Sequence, residues 1–414
     1  MQIIVQKFGG TSVGSIERIQ AVAKLISEEA SKGHRLVVVV SAMAGETDRL
    51  LGLSKKLSSQ PSALHQDVVL AAGEQVAIGL LGIALHELGI SSQLFLGHQI
   101  RILTDDIHGA ARIQRIETDR LIACLDDGKI PIIAGFQGVT EKGDVTTIGR
   151  GGGDTTAIAV AAALKADRCD IFTDVPGVST ADPRMVSDAR VLRKISSEEM
   201  LELADAGAKV LSSRSVEIAA RYQVPLCVRS SFEPSAGTMI VREEDSMENV
   251  LISGITLSAN EAKVAIRRVP DEVGIPARIF QPIAEANINV DMILQNISKD
   301  GLTDLTFTVP KGDLKRAMEL AEAAARDVKA GKVEAAGDVA KVSVVGIGMR
   351  SHAGVAHTMF EALAKEGIGI QMISTSEIKV SLIIDAKYGE RAVRALHQAF
   401  DLHKPHTDLV GNER

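Results

Sequence analysis

Ile3-Ile4-Val5-Gln6-Lys7-Phe8-Gly9-Gly10-Thr11-Ser12-Val13-Gly14 is the stretch that decides the fold. An apolar run ends in a lysine and two glycines, after which Ile16, Ile19, Ala23 and Ile26 recur at helical spacing. That order predicts a strand, a glycine turn and a helix. Glycines in such a turn let backbone N–H groups approach a phosphate, with the helix N-terminus behind them and Lys7 supplying a full charge. It is not a Walker A loop, because the lysine precedes the glycines and Ser15 follows Gly14.

Outward from this unit, residues 36–40, 93–96, 130–134, 169–173 and 226–229 read as further short strands between helical patterns. The alternation predicts an α/β fold with a mostly parallel central sheet sandwiched by helices. Consecutive apolar positions, as in Val37-Val38-Val39-Val40, suit strands covered on both faces. A second glycine loop, Thr146-Thr147-Ile148-Gly149-Arg150-Gly151-Gly152-Gly153-Asp154, opens an alanine-rich helix for which Asp154, Thr155 and Thr156 offer caps. Arg150 presents a planar fork suited to a carboxylate. A third block runs from Phe172-Thr173-Asp174 to Ala181-Asp182-Pro183-Arg184. It follows a strand, which puts Asp174 at the sheet's carboxyl edge, where open α/β folds bind ligands.

These three blocks, in this order, resemble the signatures of the aspartate kinases within the amino-acid-kinase superfamily. Gly153 stands where that family often has serine, and Ser179 where it often has tyrosine. The resemblance implies an amino-acid-kinase fold over 1–245 that transfers the ATP γ-phosphate to the β-carboxylate of L-aspartate. It assigns the phosphates to Lys7, Gly9, Gly10, Thr11 and Ser12, and the rest of the nucleotide to Thr173, Asp174, Ser179, Asp182, Arg184, Lys209 and Val210. Ser41, Thr47 and Glu74 would otherwise read as turn formers and a solvated helix charge. By resemblance they bind substrate together with Arg150, Gly151, Gly152 and Asp154. Arg150 would then clamp the α-carboxylate and Glu74 accept the α-ammonium, with Asp154 orienting Lys7 or that ammonium.

The chemistry asks for no general base, since a β-carboxylate with a pKa of about 3.9 is already ionised at neutral pH. The obstacle is electrostatic, so Lys7 and Mg²⁺ must neutralise the transferring group. Mg²⁺ is expected on phosphate oxygens and water, with no dedicated protein ligands.

The last third repeats itself at an offset of 80 residues: Gly274 aligns with Gly354, Phe280 with Phe360 and Met292 with Met372. Each copy follows the βαββαβ order of a ferredoxin-like unit. The pair, 262–335 and 341–414, resembles tandem ACT domains, which sense amino acids. That resemblance implies an effector such as lysine or threonine at Asp271, Gly274, Ile275, Pro276, Ala277, Asn289, Asp291, Gln295, Asn296, Ser376 and Glu377. It also implies a homodimer or larger assembly through these units. The linker between kinase and ACT pair falls near 241–250.

Composition limits the alternatives. A chain of 414 residues with 45% hydrophobic and 24% charged residues is built for several packed cores and excludes a disordered protein. No Trp, two Tyr and a formal charge of −7 leave nucleic acid no stacking platform or basic footprint. Three scattered cysteines without metal spacing fit the reducing cytoplasm. The chain enters a strand without a signal-peptide pattern, and its longest apolar stretch, 76–85, is too short to span a bilayer. Two other readings stay open: a kinase for another acid such as glutamate or acetylglutamate, and a silent amino-acid-sensing subunit. The intact set of Lys7, Arg150, Asp154 and Asp174 argues against silence, and the ACT pair against simpler kinases.

Overall fold

A computed structural model of the chain describes residues 2–208, 210–242, 251–296, 301–347, 349 and 354–404. It forms two compact units. The first comprises Met1–Val178, Val191–Asp205 and Lys209–Ser246, and the second Ser179–Arg190, Ala206–Ala208 and Met247–Arg414.

In chain order the first unit contains β1 (Ile3–Phe8), α1 (Ile16–Ala30), β2 (Arg35–Val40), α2 (Glu46–Leu57), α3 (Ala63–Glu87) and β3 (Ser92–Phe95). There follow β4 (Leu103–Thr104), β5 (Ile113–Arg115), α4 (Asp119–Asp126), β6 (Ile130–Ala134), β7 (Gln137–Val139), β8 (Val145–Thr147), α5 (Gly152–Leu164) and β9 (Arg168–Thr173). It ends with β10 (Lys194–Ser196), α6 (Ser197–Asp205), α7 (Ser213–Tyr222), β11 (Leu226–Ser230) and β12 (Thr238–Val241). Eight strands make one sheet in the order β10-β12-β11-β9-β1-β2-β6-β3, parallel except where β11 meets β12. All six strands read from the sequence lie in it. Leu36 to Val40 are buried at every position, as helices on both faces require. A small second sheet, β5-β4-β7-β8, leads into the second glycine loop.

The helix α1 buries Ile19, Val22, Ala23 and Ile26 against the sheet, while Ile16 in its first turn is exposed. Its N-cap is Ser15, which accepts from the Arg18 N–H. By length and composition α3 is apolar enough to cross a membrane, the only such helix among the described residues. Here it is a core helix, because Ala77, Ile78, Leu81 and Leu85 pack into the sheet's core cluster and Asp67 and Glu74 are buried within the protein.

The second unit contains β13 (Leu251–Pro270), α8 (Ile275–Glu285), β14 (Ile293–Gln295), β15 (Leu302–Pro310), α9 (Leu314–Asp327) and β16 (Val333–Ile347). Then come α10 (Gly354–Lys365), β17 (Ile370–Thr375), β18 (Lys379–Asp385) and α11 (Gly389–Ala399). All its strands share one sheet, β14-β15-β13-β16-β18-β17. The two repeats meet where the long antiparallel strands β13 and β16 pass each other. Residues 261–270 of β13 open the first repeat against β15, whereas 251–258 pair with 341–347 of β16. The second repeat therefore takes its fourth strand, the last element of its βαββαβ order, from the segment preceding the first. Register shifts between Ser258 and Lys263 mark the changeover, where buried Lys341 is ion-paired with Asp291 and with Glu261 at 3.4 Å.

The segment Ser179–Arg190 belongs to this unit for a physical reason. Ala181 and Val186 sit in its core, the Ile255 N–H donates to the Thr180 carbonyl at 2.8 Å, and His397 Nε2 bonds Thr180 Oγ1 at 3.0 Å.

Candidate active site

The parallel register of β1, β2, β6 and β9 brings their carboxyl ends to one edge, with Phe8 paired to Phe172 across β1 and β9 and the two rings stacked at 4.7 Å. At this edge lies a cavity of about 340 Å³. Lys7, Gly10, Ser41, Thr47, Glu74 and the run from Gly149 to Asp154 line it, together with Phe136. Residues from the first two glycine loops and from α3, far apart in sequence, thus share one space.

Lys7 reaches that space from the end of β1, largely buried, and its Nζ lies 2.5 Å from Asp154 Oδ1. Close backbone approach explains the glycines around it. A Cβ on Gly10 would stand 2.9 Å from the Ala42 carbonyl oxygen, and one on Gly153 would stand 2.7 Å from Ser41 Oγ and 3.3 Å from Lys7 Cε. Serine at 153 would therefore have to displace Ser41.

Asp154 sits in the first turn of α5, whose N-cap is Gly151, with no side-chain cap. The expectation that residues 154–156 cap this helix is corrected: it starts two residues earlier, and the Thr155 and Thr156 hydroxyls donate back to the Gly151 and Gly152 carbonyls. A helix N-terminus without a side-chain cap, lining a cavity beside a lysine, is suited to an anion.

Glu74 projects from α3 into the same cavity at 3% exposure. Its Oε1 accepts from the Ala42 N–H at 3.0 Å, and its Oε2 is buried with no partner. Burial pushes its pKa up to about 7, against the opposing pull of the Ala42 hydrogen bond. An unpaired carboxylate oxygen at this depth suits a cationic ligand group. Arg150 is exposed at the rim and has no ion-pair partner among the described residues.

Other predicted residues are placed as follows. Thr11 is exposed, and Asp174 is exposed at the end of β9 with the Thr173 hydroxyl donating to it at 3.1 Å. The Ser12 side chain is buried, accepting from Ser231 Oγ at 2.8 Å, so its hydroxyl shapes the loop. Ser179, Asp182 and Arg184 group with the second unit, where Arg184 and Asp182 pair with each other at 2.7 Å. Val210 is half-buried, and Lys209 lies outside the described residues.

Of the effector residues, Asp271, Ala277, Asn289, Asp291, Gln295, Asn296, Ser376 and Glu377 are exposed, and Gly274 caps α8 in a left-handed conformation. Ile275 is buried in the core of its repeat, and Pro276 is half-buried. Residues 351–353 of the second turn lie outside the described residues.

Sequence reasoning missed several supporting residues. Phe136 lines the cavity with φ at 66°, costly for an aromatic residue, and its N–H donates to Thr156 Oγ1. Its signal was Gly135-Phe136-Gln137 directly after a buried strand. Arg18 buttresses the first loop: it donates to the Ser231 carbonyl at 2.6 Å and lies 3.8 Å above the Phe232 ring. Ser231 in turn donates to Ser12.

Comparison with known proteins agrees with this geometry. The amino acid kinase family profile matches residues 2–230, and an ACT domain profile matches 267–324 and 342–400. An aspartate kinase of Pseudomonas putida is 55% identical over 98% of this chain and 99% of its own length. An aspartokinase of Geobacillus stearothermophilus is 50% identical over 97% and 98%. The structure of E. coli aspartokinase III in complex with aspartate and ADP, in its R-state, is 27% identical with a TM-score of 0.80, covering 96% of this chain and 99% of that one. The same enzyme with lysine and aspartate, in its T-state, has a TM-score of 0.74 over 97% and 100%. With the kinase profile over more than half its length, ACT domains behind it and full-length relatives at this identity, the chain belongs to the aspartate kinases of the amino acid kinase family.

Proposed function

We propose that the cavity at the sheet's carboxyl edge transfers the γ-phosphate of ATP to the β-carboxylate of L-aspartate, giving 4-phospho-L-aspartate and ADP. The reading is carried by one observation: the Lys7–Asp154 pair, the rim guanidinium of Arg150 and the unpartnered oxygen of Glu74 line a single cavity. Arg150 takes the α-carboxylate and Glu74 the α-ammonium, which turns the β-carboxylate toward Lys7. Asp154 holds the Lys7 ammonium at the point where charge builds on the transferring phosphoryl group. Gly9, Gly10 and Thr11 cradle the phosphates, while Thr173, Asp174, Lys209 and Val210 serve the nucleotide. Mg²⁺ enters with ATP and supplies charge neutralisation. The ion would be carried on phosphate oxygens and water.

An acylated acceptor would bring no cation to Glu74, which favours a free amino acid. A coupled ADP-release assay should give turnover of about 1–100 s⁻¹ with aspartate, and kcat/KM at least about tenfold lower with glutamate or acetylglutamate. Equal rates with glutamate would sink the acceptor assignment, and no rate with any acid would favour the silent sensor.

Residues 1–245 then carry catalysis, and the repeats at 262–335 and 341–414 carry feedback control by an end product such as lysine or threonine. The open N-terminus of α8 after Gly274 suits an effector carboxylate. Exposed Ile293 and Leu294 on edge strand β14, and Ile373 on edge strand β17, suit pairing with a second chain as a homodimer or larger assembly. The effector, binding an inactive state better, should lower activity by about 5- to 150-fold at saturation. Activity unchanged by lysine and threonine, alone and together, would reduce the repeats to an assembly module.

A further inference from the structure

Asp67 lies on α3 two turns before Glu74, at 1% exposure, and none of the chemistry above uses it. Its carboxylate is fully engaged. Oδ2 bonds His108 Nδ1 at 2.7 Å, Oδ1 accepts from Thr147 Oγ1 at 2.5 Å, and both oxygens lie 3.1 Å from the Gly109 nitrogen. An ionised carboxylate can only accept, so Nδ1 is the protonated ring nitrogen of His108 in this pair.

The donors come from two segments, the loop after β4 and the end of β8, and both bear on Arg150. Thr147 begins the arm Thr147-Ile148-Gly149-Arg150. The Ala111 N–H donates to the Thr147 carbonyl at 2.9 Å, and Arg214 spans both segments, donating to the Ile148 and Ala111 carbonyls at 2.9 and 2.8 Å. Gly149 packs so closely on this loop that a Cβ there would stand 3.2 Å from the Gly109 carbonyl oxygen. Arg150 has no ion-pair partner among the described residues, so the arm sets its position. A buried carboxylate adds little stability over a well-packed apolar residue. What it adds is a rigid multiple anchor, which suits a group that must meet a substrate within a fraction of an ångström.

We propose that Asp67, acting through His108, Gly109 and Thr147, is a positioning residue that fixes where the Arg150 guanidinium meets the acceptor's α-carboxylate. The proposal rests on the reading of Arg150 given above.

The test is steady-state kinetics and thermal melting of the full-length enzyme carrying Asp67→Asn, Thr147→Val, Thr147→Ser or, as reference, Arg150→Ala. Asp67→Asn and Thr147→Val should raise KM for aspartate about tenfold or more, with KM for ATP within about twofold of wild type. Thr147→Ser, which keeps the hydroxyl, should bring KM for aspartate back to within about threefold. A lower Tm with both KM values unchanged, or raised equally, would assign Asp67 to stability alone and overturn the proposal. If Asp67→Asn does not fold, the Thr147 pair decides on the same readout. If Arg150→Ala leaves KM for aspartate unchanged, the reading of Arg150 and the proposal fall together. If Arg150→Ala raises it and Thr147→Val does not, only the proposal falls.

Discussion

Lys7→Ala should lower kcat by about 10³-fold or more, equivalent to ~4 kcal/mol of transition-state stabilisation, with KM for aspartate little changed. The acceptor arrives as an anion and needs no proton removed, so the barrier lies in bringing it onto a polyanion. Lys7 is the full positive charge at the sheet edge, and its ion pair with Asp154 fixes it there instead of leaving it to sample solvent. Because both partners are largely buried, removing one leaves the other carrying an uncompensated charge. Melting curves must therefore accompany the kinetics. A folded Lys7→Ala enzyme with near-normal turnover would remove Lys7 from the mechanism.

Glu74→Gln should act oppositely on binding and on stability. The Glu74 carboxyl holds its proton up to about pH 7 in the native protein, against 4.5 ordinarily, because it is buried. Between those values the native state binds more protons than the unfolded chain, so this group makes stability fall as pH rises, and its cost is complete above about pH 7. Glutamine removes the ionisation while keeping an oxygen for the Ala42 N–H, so the variant should be more stable at pH 8 by up to about 3 kcal/mol. Binding moves the other way. Only the ionised form can pair with the substrate ammonium, so wild-type KM for aspartate should climb as pH falls below about 7, approaching tenfold per unit. Lys7, Asp154 and Arg150 face the same cavity and are present in both proteins, so they cancel in the comparison. In Glu74→Gln that slope should vanish and KM should be high throughout. A variant with wild-type KM and the same slope would detach Glu74 from the ammonium.

What the sequence made legible was local. Lys7-Phe8-Gly9-Gly10 announced a strand ending in a phosphate-type turn because glycine and lysine carry their reasons with them. The order of strands and helices then implied a parallel sheet whose loops converge. The repeat at 80 residues exposed the second unit. The rest depended on tertiary pairing. Asp67 reads in sequence as one polar residue in an apolar helix, and only the approach of His108 and Thr147 gives it a role. Phe136 looks like an ordinary core aromatic until its backbone is seen at positive φ. Residues 251–258 complete a repeat that begins some 80 residues later, which a linear comparison of the two copies could not show. Likewise, Thr180 and Val186 follow the kinase strand β9 in sequence yet pack with the repeats, because the partners that satisfy them are Ile255, His397 and the repeat core.

The central claim is that one cavity, with Lys7 on its floor, phosphorylates the side-chain carboxylate of aspartate. Trapping the product with hydroxylamine tests it most directly, since an acyl phosphate gives a hydroxamate and other phosphorylated products do not. With ATP and aspartate, wild-type enzyme should form aspartyl β-hydroxamate in step with ADP, and Lys7→Ala should form about 10³-fold less. ADP release without hydroxamate, or equal hydroxamate from the folded Lys7→Ala enzyme, would contradict the account.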